Sequence, residues 1–189
     1  KRALQRDRRR KMDVPVVSLV GYTNSGKSSI LRALSGDTSL IAENRLFSTL
    51  DTFMRRVDLP SGRTVLLSDT VGFIRDLPPG LVTAFRTTLE EIVASTFLIV
   101  VLDISTTDVQ EIRDVVEHTL HEIGAGEIPR LFVLNKIDLT SPEYLDATTA
   151  RLGIENSQSI ATSVLEKRGL HELLDSMDLF LEKMEVSQI

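Results

Sequence analysis

Eight residues, Gly21-Tyr22-Thr23-Asn24-Ser25-Gly26-Lys27-Ser28, constrain this chain more than any other stretch, because they fit the spacing G-x-x-x-x-G-K-[ST]. They lie between an apolar run, Val16 to Val20, and a helical pattern that begins near Lys27. A glycine-rich turn from strand to helix lets successive backbone N–H groups approach an anion, and the helix terminus adds partial positive charge. The stretch Gly21 to Ser29 therefore reads as a phosphate-binding loop. Lys27 would reach the β- and γ-phosphates of a nucleotide, and the Ser28 hydroxyl would ligate Mg²⁺. Alone, the motif does not choose between ATP and GTP.

The remaining pattern supplies a scaffold for such a loop. Val16 to Val20, Thr64 to Ser68, Phe97 to Leu102 and Arg130 to Leu134 are continuous apolar runs of strand length, as expected of strands covered on both faces. Gln158 to Thr162 is a weaker candidate for the last strand. Between them, Val109, Ile112, Val115, Val116, Leu120 and Ile123 recur at helical spacing, as do Leu170, Leu173, Leu174, Met177 and Leu181. Ile30, Leu31 and Leu34 face the sheet from a first helix that Gly36 ends, and Leu81, Phe85, Leu89 and Ile92 mark another after Pro78-Pro79. Alternating strands and helices predict an α/β domain on a largely parallel sheet. Residues 38 to 54 form the longest connection without a clear pattern, which is where function often sits.

Composition excludes several alternatives. With 189 residues and 42% hydrophobic content, the chain can bury one sizeable core. Its longest apolar stretches fall far below the roughly 20 residues needed to cross a bilayer, so no membrane span is expected. Zero cysteines exclude disulfides and thiolate metal sites, and with no leader pattern at the start a cytoplasmic setting is expected. Residues 1 to 11 hold seven basic side chains, whereas the remainder carries 15 basic and 26 acidic ones, a net charge of -11. A body that acidic repels phosphate backbones, so nucleic-acid contacts would come from the basic run, local patches or another domain. Residues 1–13 are expected to be a basic helix end or linker from a preceding domain, and 14–189 the domain itself.

A second motif selects the base. Asn135-Lys136-Ile137-Asp138 follows the strand Arg130 to Leu134, so its side chains lie at a carboxyl strand end, where open α/β sheets bind ligands. A carboxylate at Asp138 accepts two hydrogen bonds from the N1–H and exocyclic amine of guanine, whereas adenine would leave it unpaired. Asn135 would contact the opposite edge and tie the pocket to the phosphate loop, with the Lys136 stem against the base plane. Ser163-Val164-Leu165 occupies the place where a backbone N–H would meet the guanine O6. The expected ligands are thus GTP and GDP.

Two further stretches read as switches. Asp69-Thr70-Val71-Gly72 ends the strand Thr64 to Ser68, placing Asp69 where it holds Mg²⁺ through water and the Gly72 N–H where it meets the γ-phosphate. In the earlier connection, Phe47-Ser48-Thr49-Leu50-Asp51 offers the Thr49 hydroxyl as a second protein ligand of Mg²⁺, with Thr52 as its competitor.

The chain resembles the HflX family of GTPases, in the same superclass as the Obg family. The resemblance runs from about Val14 to Leu174 and rests on 20 to 28 (VGYTNSGKS), 46 to 51 (LFSTLD) and 69 to 78 (DTVGFIRDLP). It implies a Ras-like G domain of the P-loop class, with a mostly parallel six-stranded sheet and helices on both faces. It also implies Thr49 and Ser28 as the magnesium ligands from the loops, and the large ribosomal subunit as partner, with a role in splitting or rescuing ribosomes under stress. The sequence departs from the family after Asp51, where Thr52-Phe53-Met54 replaces a proline-threonine-threonine-like run, and at Ser163-Val164, which stands for serine-alanine.

Ras-like enzymes orient the attacking water with a glutamine after the third-motif glycine, but here Phe73 occupies that position and cannot hydrogen-bond. Slow intrinsic hydrolysis accelerated by a partner is the expectation, with Lys27, Thr49, Gly72 and Asn24 carrying the chemistry. Asn24 resembles the phosphate-loop asparagine of GTPases that bind K⁺ beside the β- and γ-phosphates. The alternative is a GTP-binding signalling module with negligible hydrolysis.

Overall fold

A computed structural model describes residues 14–36, 53–70 and 86–186. Six strands form one sheet in the order β2-β3-β1-β4-β5-β6. They are β1 (Val16–Gly21), β2 (Phe53–Asp58), β3 (Thr64–Asp69), β4 (Phe97–Asp103), β5 (Arg130–Asn135) and β6 (Ser159–Thr162). All neighbours pair in parallel except β2, which runs antiparallel to β3 at the edge. Among the described residues five α-helices accompany them, α1 (Lys27–Ser35), α2 (Arg86–Val93), α3 (Val109–Glu122) and α4 (Pro142–Leu152) between strands and α5 (Leu170–Val186) after the last.

The period-2 alternation of the central strands divides the core into two layers. Val17 and Leu19 of β1, Ile99 and Val101 of β4, and Leu131 and Val133 of β5 pack with Ile30 and Leu31 of α1 and Leu173, Met177 and Leu181 of α5. Val20, Leu98, Val100, Phe132 and Leu134 face the opposite way, onto Ile92 of α2 and Val109, Val116 and Leu120 of α3. Because both faces are covered, these strands read as unbroken apolar runs. Phe97 meets Phe180 of α5 with ring centroids 5.1 Å apart and planes tilted by 57°, one of the favourable aromatic geometries.

The expected strands are all present, most of them one residue longer than their apolar runs, because Gly21, Asp69, Asp103 and Asn135 still pair. Gly36 ends α1 in the left-handed region at φ 67°, as anticipated. Two elements were not anticipated. Strand β2 begins inside the connection assigned to 38–54, and its exposed face carries Arg56 and Asp58, whose charges hide the strand pattern. Helix α4 buries only Thr148 and Leu152, so it has no continuous apolar stripe. Its signals were at its ends: Ser141 accepts a capping bond from the Tyr144 N–H at 3.2 Å, Pro142 opens the helix, and Gly153 closes it. Of the helix predicted from Leu81, Phe85, Leu89 and Ile92, the stretch Arg86–Val93 is present, with Ile92 buried. Leu81, Phe85 and Pro78-Pro79 lie outside the described residues, as does the basic run at 1–13.

Candidate functional site

The carboxyl ends of β1, β3, β4, β5 and β6 share one rim of the sheet, and the predicted motifs leave the strands there. The loop after β1 turns through two left-handed residues, Asn24 at φ 63° and Gly26 at φ 103°. Gly26 is required twice over: its φ disfavours a side chain, and a Cβ there would stand 2.1 Å from Asn135 Nδ2. Gly21 is required by proximity to β4, since a Cβ would lie 2.3 Å from the Val101 carbonyl oxygen.

Lys27 opens α1 and folds back over the loop, donating from Nζ to the Gly21 carbonyl at 3.1 Å and the Tyr22 carbonyl at 2.8 Å. An ammonium has three hydrogens to donate, so two fix its position and one remains for an anion. Burial lowers the Lys27 pKa to about 8, against the opposing attraction of Asp69. A desolvated cation on a cradle of backbone dipoles is stabilised by any anion that reaches it.

Next to it, Ser28 Oγ donates to Asp69 Oδ2 at 2.5 Å, joining the start of α1 to the end of β3. Thr70 Oγ1 donates to the Leu19 carbonyl at 2.5 Å and anchors the chain leaving β3 against β1. The hydroxyl and carboxylate that were predicted to serve Mg²⁺ are thus adjacent and beside Lys27. Their hard oxygens suit that ion's chemistry.

The second motif is joined to the first by direct bonds. Asn135 ends β5 almost fully buried and donates from Nδ2 to the Ser25 carbonyl at 2.9 Å, across 110 residues of sequence. Its Oδ1 accepts from Thr162 Oγ1, at the end of β6, at 3.1 Å. Lys136 adopts a left-handed conformation at φ 67°, and a single 3₁₀ turn, Ile137–Leu139, follows it. Asp138 Oδ1 accepts from Ser163 Oγ at 2.5 Å, and Ser163 Oγ in turn accepts from the Glu166 N–H at 3.1 Å. Gly169 closes this loop where a Cβ would meet the Ala161 carbonyl oxygen at 2.0 Å. Val164 packs against the core and Leu165 is largely exposed beside the loop.

Three of the four predicted loops therefore contribute described residues to one rim: Gly21 to Ser29, Asp69 with Thr70, and Asn135 to Asp138 with Ser163 to Leu165 as its partner. The fourth, Phe47, Ser48, Thr49, Leu50 and Asp51, lies outside the described residues, as do Val71, Gly72 and Phe73. Sequence reasoning missed Thr162 and Asp103, which hold Asn135 and Lys136 from neighbouring strands. Their signal was their place at the carboxyl ends of β6 and β4. Among the described residues, no helix is long and apolar enough to cross a membrane.

Comparison with known proteins bears on this rim. Residues 16–136 match a family model described as a 50S ribosome-binding GTPase. A GTPase HflX of Caldanaerobacter subterraneus subsp. tengcongensis is 46% identical over 188 residues, 98% of this chain and 42% of that protein. A GTPase HflX of Escherichia coli is 48% identical over 134 residues, 71% of this chain and 31% of that protein. The chain thus spans about two fifths or less of the length of these curated relatives. Among solved structures, a GTP-binding protein from the archaeon Sulfolobus solfataricus in complex with GDP superposes with a TM-score of 0.71 at 29% identity, covering 97% of this chain and 57% of that one.

Proposed function

Since the chain belongs to the HflX family of GTPases and has the Ras-like fold of its G domain, we propose that residues 14–189 bind GTP and GDP at this rim and hydrolyse GTP to GDP and phosphate. The observation that carries the reading is Asn135, whose side chain couples the phosphate loop at Ser25 to the guanine motif and to β6 at Thr162. That single bridge sets the distance between a phosphate cradle and a base pocket.

In this reading the N–H groups of Gly21 to Ser29 and the remaining hydrogen of Lys27 receive the β- and γ-phosphates. Asp138, oriented by Ser163, pairs with the guanine N1–H and amine, Lys136 covers the base, and the loop Ser163 to Leu165 offers an N–H to O6. Ser28, Thr49 and Asp69 would hold Mg²⁺, which when bound neutralises charge on the β- and γ-phosphate oxygens. Water attacks the γ-phosphorus, the bond to the β–γ bridging oxygen breaks, GDP leaves with that electron pair, and the water's protons pass to the released phosphate and solvent. The Gly72 N–H would meet the γ-phosphate, and hydrolysis would release that bond.

Phe73 supplies no hydrogen bond to the attacking water, so intrinsic turnover is slow and a partner or K⁺ at Asn24 supplies the missing positive charge, worth roughly 10³ to 10⁵ in rate. The proposed partner is the large ribosomal subunit in the cytoplasm, in ribosome splitting or rescue, which the match to a 50S ribosome-binding GTPase model supports. The test is phosphate release with and without ribosomes, in potassium and in sodium. Stimulation by ribosomes supports the enzyme, turnover of many per second by the chain alone overturns the slow-rate reading, and equal rates in the two salts remove K⁺. GTP binding with no hydrolysis under any condition would leave a binding switch.

A further inference from the structure

Lys136 is placed by a residue that no motif contains. Its Nζ pairs with Asp103 Oδ2 at 2.6 Å, with the lysine side chain 26% and the carboxylate 15% exposed. Asp103 is the last residue of β4 and stands in register with Asn135, the last residue of β5. Its other oxygen, Oδ1, accepts from the Ser105 N–H at 3.0 Å and from Ser105 Oγ at 2.6 Å. The Asp103 carbonyl accepts from Thr106 Oγ1 at 3.3 Å, and the Ile104 N–H donates to the Asn135 carbonyl at 3.0 Å. The carboxylate is therefore held through Oδ1 by Ser105 while Oδ2 meets the lysine, and its strand end is tied to the strand that bears the base motif.

On the strength of the proposed guanine pocket, we infer that Asp103 is a positioning residue that fixes the Lys136 stem as the platform on which the purine ring stacks. Lysine is a long flexible chain, and its ordering opposes binding unless it occurs beforehand. Lys136 leaves β5 in a left-handed conformation at φ 67°, which ends the extended backbone of the strand at this residue. The Asp103 carboxylate captures the far end, so backbone and charge together leave the methylene stem one path. A base laid on that stem also excludes water from a partly buried ion pair, which strengthens the pair while the nucleotide stays bound. Asp103 touches no reacting atom and does not read the base edge, which belongs to Asp138.

The test is the dissociation rate of a fluorescent GDP from the 189-residue chain, with melting temperature as a check on folding. Asp103→Ala is expected to release GDP about tenfold faster, Lys136→Ala by a similar factor, and the double variant no faster than either, because the two act as one unit. Asp103→Asn, which keeps an acceptor oxygen but not the charge, should release GDP about threefold faster. The preference for GDP over IDP, which differs in lacking the exocyclic amine, should remain as in the wild type. Unchanged release from Asp103→Ala, multiplicative effects in the double variant, or a changed GDP-to-IDP preference would each overturn the inference. If Asp103→Ala does not fold, Asp103→Asn and Lys136→Ala carry the same decision. Failure of the underlying pocket looks different: the wild type would then not retain GDP, or Lys27→Met would release it no faster.

Discussion

The two ends of the rim are built on opposite electrostatic plans. At the base end the polar side chains already have protein partners: Lys136 pairs with Asp103, Asp138 accepts a hydrogen bond from Ser163, and Asn135 uses both its amide nitrogen and its oxygen within the protein. At the phosphate end Lys27 is a buried cation resting on backbone carbonyls, with its pKa lowered to about 8 by desolvation. In the proposed reading the base end would accept or reject a ring by its shape, while the phosphate end holds an electrostatic cost that a polyanion would remove. Affinity should come chiefly from the second and selectivity from the first.

Replacing the buried cation gives the largest test of that division. Lys27→Met keeps most of the side-chain volume and removes the charge, so it should lower GDP affinity on the order of 100-fold, the loss of one or two charge-assisted hydrogen bonds. Isothermal titration measures it. A loss of less than about threefold would mean that the backbone cradle alone carries the phosphates.

The same lysine makes the free protein's stability depend on pH in a defined sense. Its folded pKa of about 8 lies below the ordinary lysine value of 10.5, so between those values the unfolded chain binds more protons and stability rises with pH. Below pH 8 both states are protonated and the cost is fully present. The gain across the window is on the order of 3 kcal/mol, from about 1.4 kcal/mol per pKa unit. Urea denaturation of the nucleotide-free chain from pH 7.5 to 10 should show this rise, and Lys27→Met should lack it. Bound nucleotide returns the lysine to its charged form and should flatten the slope.

At the base end the expected effect is a change of preference. Asp138→Asn replaces a pure acceptor by a group that also donates, so the guanine amine loses its partner while xanthine, with an oxygen at that position, gains one. GDP binding should weaken by about 30-fold, within the range for a charged hydrogen bond, and XDP binding should improve. Competition between GDP and XDP for the one site measures it, and equal weakening for both would show that Asp138 acts by packing alone.

These contrasts also mark what was legible in the sequence. The proposed phosphate loop and the Asn135 to Asp138 motif stand out in the sequence because each is local, its residues lying within eight positions or fewer. The central sheet was readable because strands covered on both faces have no polar alternation to confuse. Asp103 and Thr162 were not, since their roles depend on which strand ends lie side by side, and β4-β5-β6 adjacency is a property of the assembled sheet. Strand β2 and helix α4 escaped for a simpler reason: each has a largely solvated face, and end signals such as Ser141-Pro142 and Gly153 weigh little beside an apolar stripe.

The smallest predicted effect probes the joint between the two ends. Asn135→Ala removes both the bond to the Ser25 carbonyl and the bond from Thr162, leaving a buried carbonyl and a buried hydroxyl unpaired, which costs about 1–3 kcal/mol of stability. GDP affinity should fall about tenfold, because the phosphate loop no longer has its distance to the base motif fixed. Thr162→Val removes only the outer bond and should weaken binding about threefold, with the Ser25 link intact. Gly26→Ala attacks the joint from the other side, driving a Cβ to within 2.1 Å of Asn135 Nδ2. If both ends bind independently, Asn135→Ala would weaken GDP and leave inorganic triphosphate unaffected; if Asn135 couples them, the triphosphate loses affinity too, and that difference decides whether the rim is one site or two adjoining ones.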